Sequence, residues 1–243
     1  MADYQTPEFH PAFEEYCEAI WELKEDDVSV TQARVAERLG VSRPAVSEMI
    51  KRMQAEGFVI LDGTAINLTA DGLRLAEQVV RRHRLAERLL TDILGLSWAD
   101  AHVEAGKWEH VISAPVESAI NRLLDNPTTC PHGNPIPGSS YAPPDLVALT
   151  AIPVGGAFTV TRIPEELEFT PGILNFLEDA AVQPDHAGRV TAVSPDGTVT
   201  VEIDGRHVGI GAFAADRILV TAGPRPAPAS AEASATPASA SAG

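Results

Sequence analysis

The fold turns on residues 40–59, GVSRPAVSEMIKRMQAEGFV. Gly40 is a helix stop. Ser42 is an N-cap residue, and Pro44 sits in the first turn of the next helix, where a missing N–H costs nothing. Val46, Met49, Ile50 and Met53 recur at helical spacing and predict one apolar face. Just upstream, TQARVAERL over 31–39 predicts a helix with Thr31 as its cap, and AFEEYCEAIWELKE over 12–25 predicts another. Downstream, GFVILDGTAINLTADG holds two short β-rich segments around the turn signal Asp62-Gly63. Helix, turn, helix and hairpin is the order of a winged helix-turn-helix, whose second paired helix enters the major groove by its N-terminal end. The same shape also serves as a module for protein contacts alone.

Beyond the hairpin, Thr69 predicts the cap of a long helix reaching about residue 94, and 97–125 predicts one or two more. The run NPTTCPHGNPIPG is rich in Pro and Gly and predicts irregular backbone, and GSSYAPPD over 138–145 predicts a linker. From Leu146 to Val220 the pattern changes to GGAFTVTRI, GRVTAVSP, TVTVEID, HVGIGA and DRILVTA, with one short helix at GILNFLEDA. These segments predict a small β-barrel. The Ala/Pro/Ser tail predicts disorder. The reading is an α+β multidomain chain: a winged helix-turn-helix over 1–75, a helical domain over 76–140, a linker over 141–149, a barrel over 150–221 and a tail over 222–243.

Composition sets the frame. The 243 residues are 44% hydrophobic, enough for one large or two to three small domains with real cores. No apolar run approaches the roughly 18 residues of a membrane span, and the acidic N-terminus does not read as a signal peptide. Two cysteines, Cys17 and Cys130, make no disulfide framework, so the expectation is a reducing cytoplasm. The net charge of −16 argues against nucleic acid, but its distribution does not. Residues 24–88 hold 11 basic and 10 acidic side chains, which leaves room for a local basic surface.

A second stretch carries chemistry. In AHVEAGKWEH, residues 101–110, His102, Gly106, Glu109 and His110 fall within roughly a 100° arc of a helix. Two imidazoles and a carboxylate facing one way suit a divalent transition metal. A solvated charged face is the alternative. His83 and Glu87 share a face four residues apart on the long helix. On the first helix Glu15, Glu18 and Glu22 form an acidic stripe beside the apolar stripe of Phe13, Tyr16, Ile20 and Leu23. That stripe reads as a solvent face or as ligands. Cys17 points elsewhere and reads as a core thiol.

Four segments, ARVAERLGVSRPAVSEMIKRM, RRHRLAERLLTDILGL, EAGKWEHVIS and PHGNPIPG, resemble the diphtheria toxin repressor family of metal-dependent regulators, closely from about residue 12 to 138. The resemblance implies a mainly α N-terminal half, made of a winged helix and dimerisation helices, followed by a Src-homology-3-like barrel. It implies a homodimeric, Mn(II)- or Fe(II)-activated repressor with two metal subsites per subunit, acting on a palindromic operator and not an enzyme. One subsite would use His83, Glu87 and His102, completed in the iron branch by barrel side chains, for which Glu165, Glu166 and Glu168 are at hand. The other would use Glu109 and His110 with the first helix. The iron branch has Met where Glu15 stands, and the manganese branch has carboxylates matching Glu15 and Glu18, with His83 joining. At Gly106 the chain departs from both branches, which carry Cys or Glu there, and the implied set has no sulfur. For DNA, the resemblance implies that Ser42, Pro44 and Ala45 touch base edges and that Glu48 accepts from a cytosine amino group. Arg43, Lys51 and Arg52, with Ser47 and Gln32, would hold phosphates, Arg43 alternatively a guanine. A winged-helix sensor of an organic ligand leaves the three ligand helices unexplained. A metallohydrolase, with an open metal position at Gly106, leaves the winged helix without a role.

Overall fold

The computed structural model describes residues 11–223, so the tail beyond 223 and the first ten residues lie outside the description. The winged half follows its caps. α1 (Pro11–Glu25) precedes α2 (Gln32–Leu39), and the Thr31 hydroxyl oxygen accepts from Arg34 N. Gly40 ends α2 in the left-handed conformation. α3 (Arg43–Ala55) starts with the Ser42 oxygen accepting from Ala45 N. The hairpin pairs β1 (Val59–Asp62) with β2 (Ala65–Leu68), Asp62 opposite Ala65, so the turn's central pair is Gly63-Thr64, one residue later than the sequence signal. Only Gly63 there takes positive φ, which a β-carbon would oppose. Phe13, Tyr16 and Ile20 of α1 pack with Val46, Ile50 and Met53 of α3 and Phe58 and Ile66 of the wing in one core.

α4 (Ala70–Arg88) is capped by Thr69 and passes into a π-helical turn, Leu89–Ile93, so the expected helix to about 94 keeps its length but changes winding. α5 (Trp98–Trp108) and α6 (Ala114–Leu123) follow. Leu85, Leu90, Ala101, Ala105, Ile120 and Ile136 form the core of this helical part.

The C-terminal part is an antiparallel sheet of six strands, with β3 (Val147–Ala148), β4 (Ala157–Arg162), β5 (Ala187–Val193), β6 (Val199–Ile203), β7 (Arg206–Ile210) and β8 (Leu219–Ala222) in the order β3-β8-β4-β5-β6-β7. Two expectations change here. β3 and the buried Leu149 fall inside the stretch read as linker, because Val147 pairs with Val220 and Leu149 fills the barrel core. The one expected helix is joined by others: α7 (Glu165–Glu168) and α9 (Ala212–Ala215) flank α8 (Ile173–Asp179), and Leu149–Ala151 is a 3-10 turn. These turns are four residues or fewer, too short to show helical periodicity.

The barrel is joined to the helices by buried charge. Arg84, fully buried on α4, donates to Glu25 of α1 (2.6 Å) and Glu165 of α7 (2.8 Å), and to the Pro135 carbonyl. Arg162 of β4 donates to Glu25 (3.0 Å) and Asp26 (2.8 Å). Arg38 of α2 lies 4.3 Å over the Phe169 ring.

Candidate metal centre

Three helices and one barrel turn bring their polar side chains to a cavity of about 390 Å³ lined by Glu15, Glu18, Glu22, His83, His102, Gly106, Glu109 and Glu168. The sequence-expected ligands separate into two neighbouring groups. In the first, Glu87 Oε1 lies 3.2 Å from His83 Nε2 and 3.1 Å from His102 Nδ1. Glu168 Oε2 lies 3.2 Å from His102 Nδ1, so one of the three barrel glutamates does reach the cluster. Glu165 pairs with Arg84 and Glu166 with Arg217 instead.

In the second group His110 donates from Nδ1 to Glu14 (2.6 Å) and lies by Nε2 3.0 Å from Glu15 and 3.1 Å from Glu109. His83 Nδ1 donates to Glu109 Oε2 (2.5 Å) and links the groups. α5 ends at Trp108, and Glu109 and His110 turn off its end rather than continuing it. His102 and Gly106 still face the cavity with Glu109, as their spacing predicted. A β-carbon on Gly106 would meet nothing within 4 Å.

The acidic stripe of α1 is not a solvent face. Glu18 and Glu22 are buried, Glu22 against Arg38 (3.0 Å), and only Glu15 is exposed. Glu14, buried on the neighbouring line of the same helix, was not read as functional, because nothing in its own helix marks it until His110 is opposite.

The electrostatics describe a site built for positive charge. Burial raises Glu18 well above the usual carboxylate range, and repulsion from Glu109 and Glu22 adds to it. Its Oε1 and the Oε2 of Glu87 are buried without a hydrogen bond among the described residues. Around them the histidines hold protons. Hydrogen bonds to Glu14 and Glu15 raise His110 to about 10. Burial opposes the charge on His102, but hydrogen bonds to Glu168 and Glu87 outweigh it and raise the ring to about 10. Burial likewise opposes the charge of His83, and Glu87 and Glu109 overcome it. Imidazole and carboxylate at this density, with orphaned buried oxygens, fit a divalent cation that displaces those protons.

The other expected surface lies on α3. Ser42, Arg43, Pro44, Ala45, Glu48, Lys51 and Arg52 are exposed, and Ser47 and Gln32 are half-buried, while Val46, Ile50 and Met53 face the core. The guanidinium of Arg52 lies 5.7 Å from the Phe13 ring of α1.

A winged helix whose first helix ends in a buried carboxylate–imidazole cluster defines the class of metal-responsive DNA-binding regulators. Two family models match: the iron dependent repressor N-terminal DNA binding domain at residues 8–64, and the iron dependent repressor metal binding and dimerisation domain at residues 69–138. The iron-dependent repressor IdeR of Mycobacterium tuberculosis is 41% identical over 207 residues, covering 80% of this chain and 89% of the relative. The diphtheria toxin repressor of Corynebacterium diphtheriae is 36% identical over 205 residues, covering 80% and 90%. Among solved structures, a manganese-dependent transcriptional repressor in complex with manganese superposes with a TM-score of 0.77 at 34% identity, covering 86% of this chain and 99% of that one. IdeR of T. acidophilum gives 0.71 at 29% identity, covering 86% and 97%. The chain belongs to the diphtheria toxin repressor family of metal-dependent DNA-binding repressors.

Proposed function

We propose that the chain acts as a homodimeric repressor activated by Mn(II) or Fe(II), two ions per subunit, on a palindromic operator of metal-homeostasis genes. The observation that carries this reading is the tie between halves: Glu14, Glu15 and Glu18 of the DNA-binding half meet His83, Glu109 and His110 of the helical half. One subsite would be held by His83, Glu87 and His102 with Glu168, the other by Glu15, Glu18, Glu109 and His110.

When bound, a divalent ion supplies positive charge to a cavity with surplus carboxylate. The chain's own residues do the rest. Glu15 and Glu18 hold α1 against the helical half. Phe13 of α1 packs edge-on against Phe58 at the wing (5.5 Å between centroids), so α1 and the recognition face move as one body. Fixing α1 in both subunits sets the spacing of two recognition helices, which a palindrome requires. On each α3 the exposed Ser42, Pro44 and Ala45 would meet base edges, and Glu48 a cytosine amino group. Arg43, Lys51 and Arg52, with Ser47 and Gln32, would meet phosphates. The Ser42 oxygen already accepts from Ala45 N, so its O–H is the group left to donate. Exposed Ile93, Leu94, Val103, Val111 and Leu123 on the helical half support a second copy as the covering partner. The oxygen-rich second subsite, with Gly106 contributing no side chain, suits Mn(II) relative to softer ions.

Retardation of a palindromic duplex, titrated anaerobically with Mn(II) or Fe(II), tests this reading. Binding that requires the metal is expected. Binding without metal, or none with any metal, overturns it.

A further inference from the structure

A second cavity, of about 420 Å³, opens where α2 meets the barrel, and Phe169 lines both it and the metal cavity. Its walls come from both halves of the chain. Arg34, Glu37 and Arg38 stand on α2, while Glu166, Phe169, Phe213 and Arg217 stand on or just after α7 and α9 of the barrel. A volume of this size holds a small organic molecule.

Two guanidiniums and two rings are stacked there in the same way. Arg38 lies 4.3 Å over the Phe169 ring, and Arg217 lies 3.9 Å over the Phe213 ring. The two phenylalanines are still 48% and 46% exposed, so each offers the cavity unburied apolar surface. The carboxylates of the lining are already engaged. Glu166 accepts from Arg217 through both oxygens (2.7 and 3.3 Å), and Glu37 accepts from Arg34 (3.1 Å) at the rim. Three guanidiniums against two carboxylates leave the lining one positive charge in surplus. Glu22, which accepts from Arg38 Nη1 (3.0 Å), lies outside that lining. The Arg38 side chain is only 5% exposed, and its Nη2 is buried without a hydrogen bond among the described residues. A buried charged donor left unpaired is costly, and an acceptor in the cavity is the partner it lacks. A seam that only glued the two halves together would close over its ion pairs. This one keeps open space between half-exposed rings and an unsatisfied guanidinium.

We propose that this cavity is an effector site for a small organic anion, a carboxylate carried on a flat apolar body. The carboxylate is drawn to the arginines of α2 and the body to the two barrel rings, so the occupant bridges the DNA-binding half and the barrel. The Phe169 ring also stands edge-on to the His102 ring, 5.2 Å between centroids. Occupancy is thereby coupled to the metal centre, and that half of the proposal rests on the metal reading.

Benzoate is the probe, with acetate as the anion without a ring and benzylamine as the ring with the opposite charge. Saturation-transfer NMR on the full chain, prepared without metal, is expected to show benzoate bound, acetate bound more weakly and benzylamine not bound. Phe213→Ala and Arg34→Gln, both at exposed positions, are each expected to weaken benzoate about tenfold while circular dichroism stays unchanged. The three probes on the wild type decide charge and ring even if a variant does not fold. No benzoate signal, acetate as tight as benzoate, benzylamine as tight as benzoate, or undiminished benzoate binding in either folded variant overturns the site. Isothermal titration of Mn(II) with and without saturating benzoate tests the coupling. A change of about fivefold or more in Mn(II) affinity is expected in the wild type and not in Phe213→Ala. Both ligands bound with no such change overturns the effector role. Benzoate binding without any Mn(II) binding leaves the site standing and the metal reading fallen, and Mn(II) binding without benzoate does the reverse.

Discussion

The exposed end of α3 and the buried cluster behind α1 are both polar, yet they are made in opposite ways. The α3 residues come from one run of eleven positions, 42–52, all exposed but the half-buried Ser47, on a helix whose core face of Val46, Ile50 and Met53 packs without them. The cluster draws Glu18, His83, Glu87, His102, Glu109 and Glu168 from α1, α4, α5 and α7, with Glu109 at the end of α5, and its members hold one another's charges. Losing one member of the first surface removes a contact. Losing one member of the second leaves its neighbours buried and uncompensated.

That contrast can be pressed experimentally. The largest effect is expected at Arg84, the buried cation between Glu25 and Glu165. Arg84→Ala is expected to destabilise the folded chain by about 3–5 kcal/mol, the range for removing one partner of a buried pair, read by denaturant unfolding. A loss no greater than that of a surface arginine would break the contrast. Next comes His110→Ala, which is expected to abolish metal-induced operator binding while leaving helical content and the dimer intact, as seen by retardation, circular dichroism and sedimentation. An unchanged metal response would remove His110 from the site.

The cluster is also expected to respond to pH in a defined direction. His110 and His102 titrate near 10 in the metal-free fold against 6.5 unperturbed. A raised folded pKa contributes stability that is fully present below about pH 6.5 and is lost as pH climbs through about 10. Metal must displace those protons, so metal affinity is expected to rise over the same window. Isothermal titration at several pH values checks this, and affinity that falls with pH would contradict it.

A smaller, separable effect is expected on the DNA side. Arg52→Ala is expected to lower the salt slope of operator binding by about one unit, leaving base preference in place. Equal slopes would refute the phosphate assignment. The finest probe is Gly106→Cys. The space beside Gly106 is open, so the thiol is expected to enter the cavity without disturbing the fold and to shift the response toward Fe(II), Co(II) and Ni(II) relative to Mn(II). Operator affinity against free metal for each ion reads the shift, and an unchanged order of metals would show that position 106 does not face the ion.

What could be read before folding follows the same division. The caps Thr31, Ser42 and Thr69 act on backbone groups three residues away, so local sequence discloses them. Those three caps, with the order of elements, made the winged helix and the long fourth helix legible. Ligands on one helix, such as His83 and Glu87, are legible for the same reason. Which of Glu165, Glu166 and Glu168 reaches the cluster is not. All three sit on a four-residue helix with no period to read. Glu168 is placed by Asn134, which donates to it and to the Ile163 carbonyl, contacts across about thirty residues. Glu14 shows the converse: the acidic stripe beside it reads as a solvent face or as ligands, and only the partner helix decides which glutamates point inward.

The arginine ties at Glu25 give α1 a mechanical character. Its C-terminal end is fastened to the barrel and to α4 by Arg84 and Arg162, contacts that need no metal. Its other end meets His110 through Glu14 and Glu15. The ten residues from Glu15 to Glu25 span about 15 Å, so α1 is a short lever hinged at one end. A displacement of about 1 Å at the Glu15 end turns such a lever by roughly 4° about its hinge. Phe13, two residues before Glu15, touches Phe58, so such a turn would reach the wing, and through the shared core α3. A fixed hinge converts a small change in local charge into a rotation with a defined axis, where a helix free at both ends would merely drift.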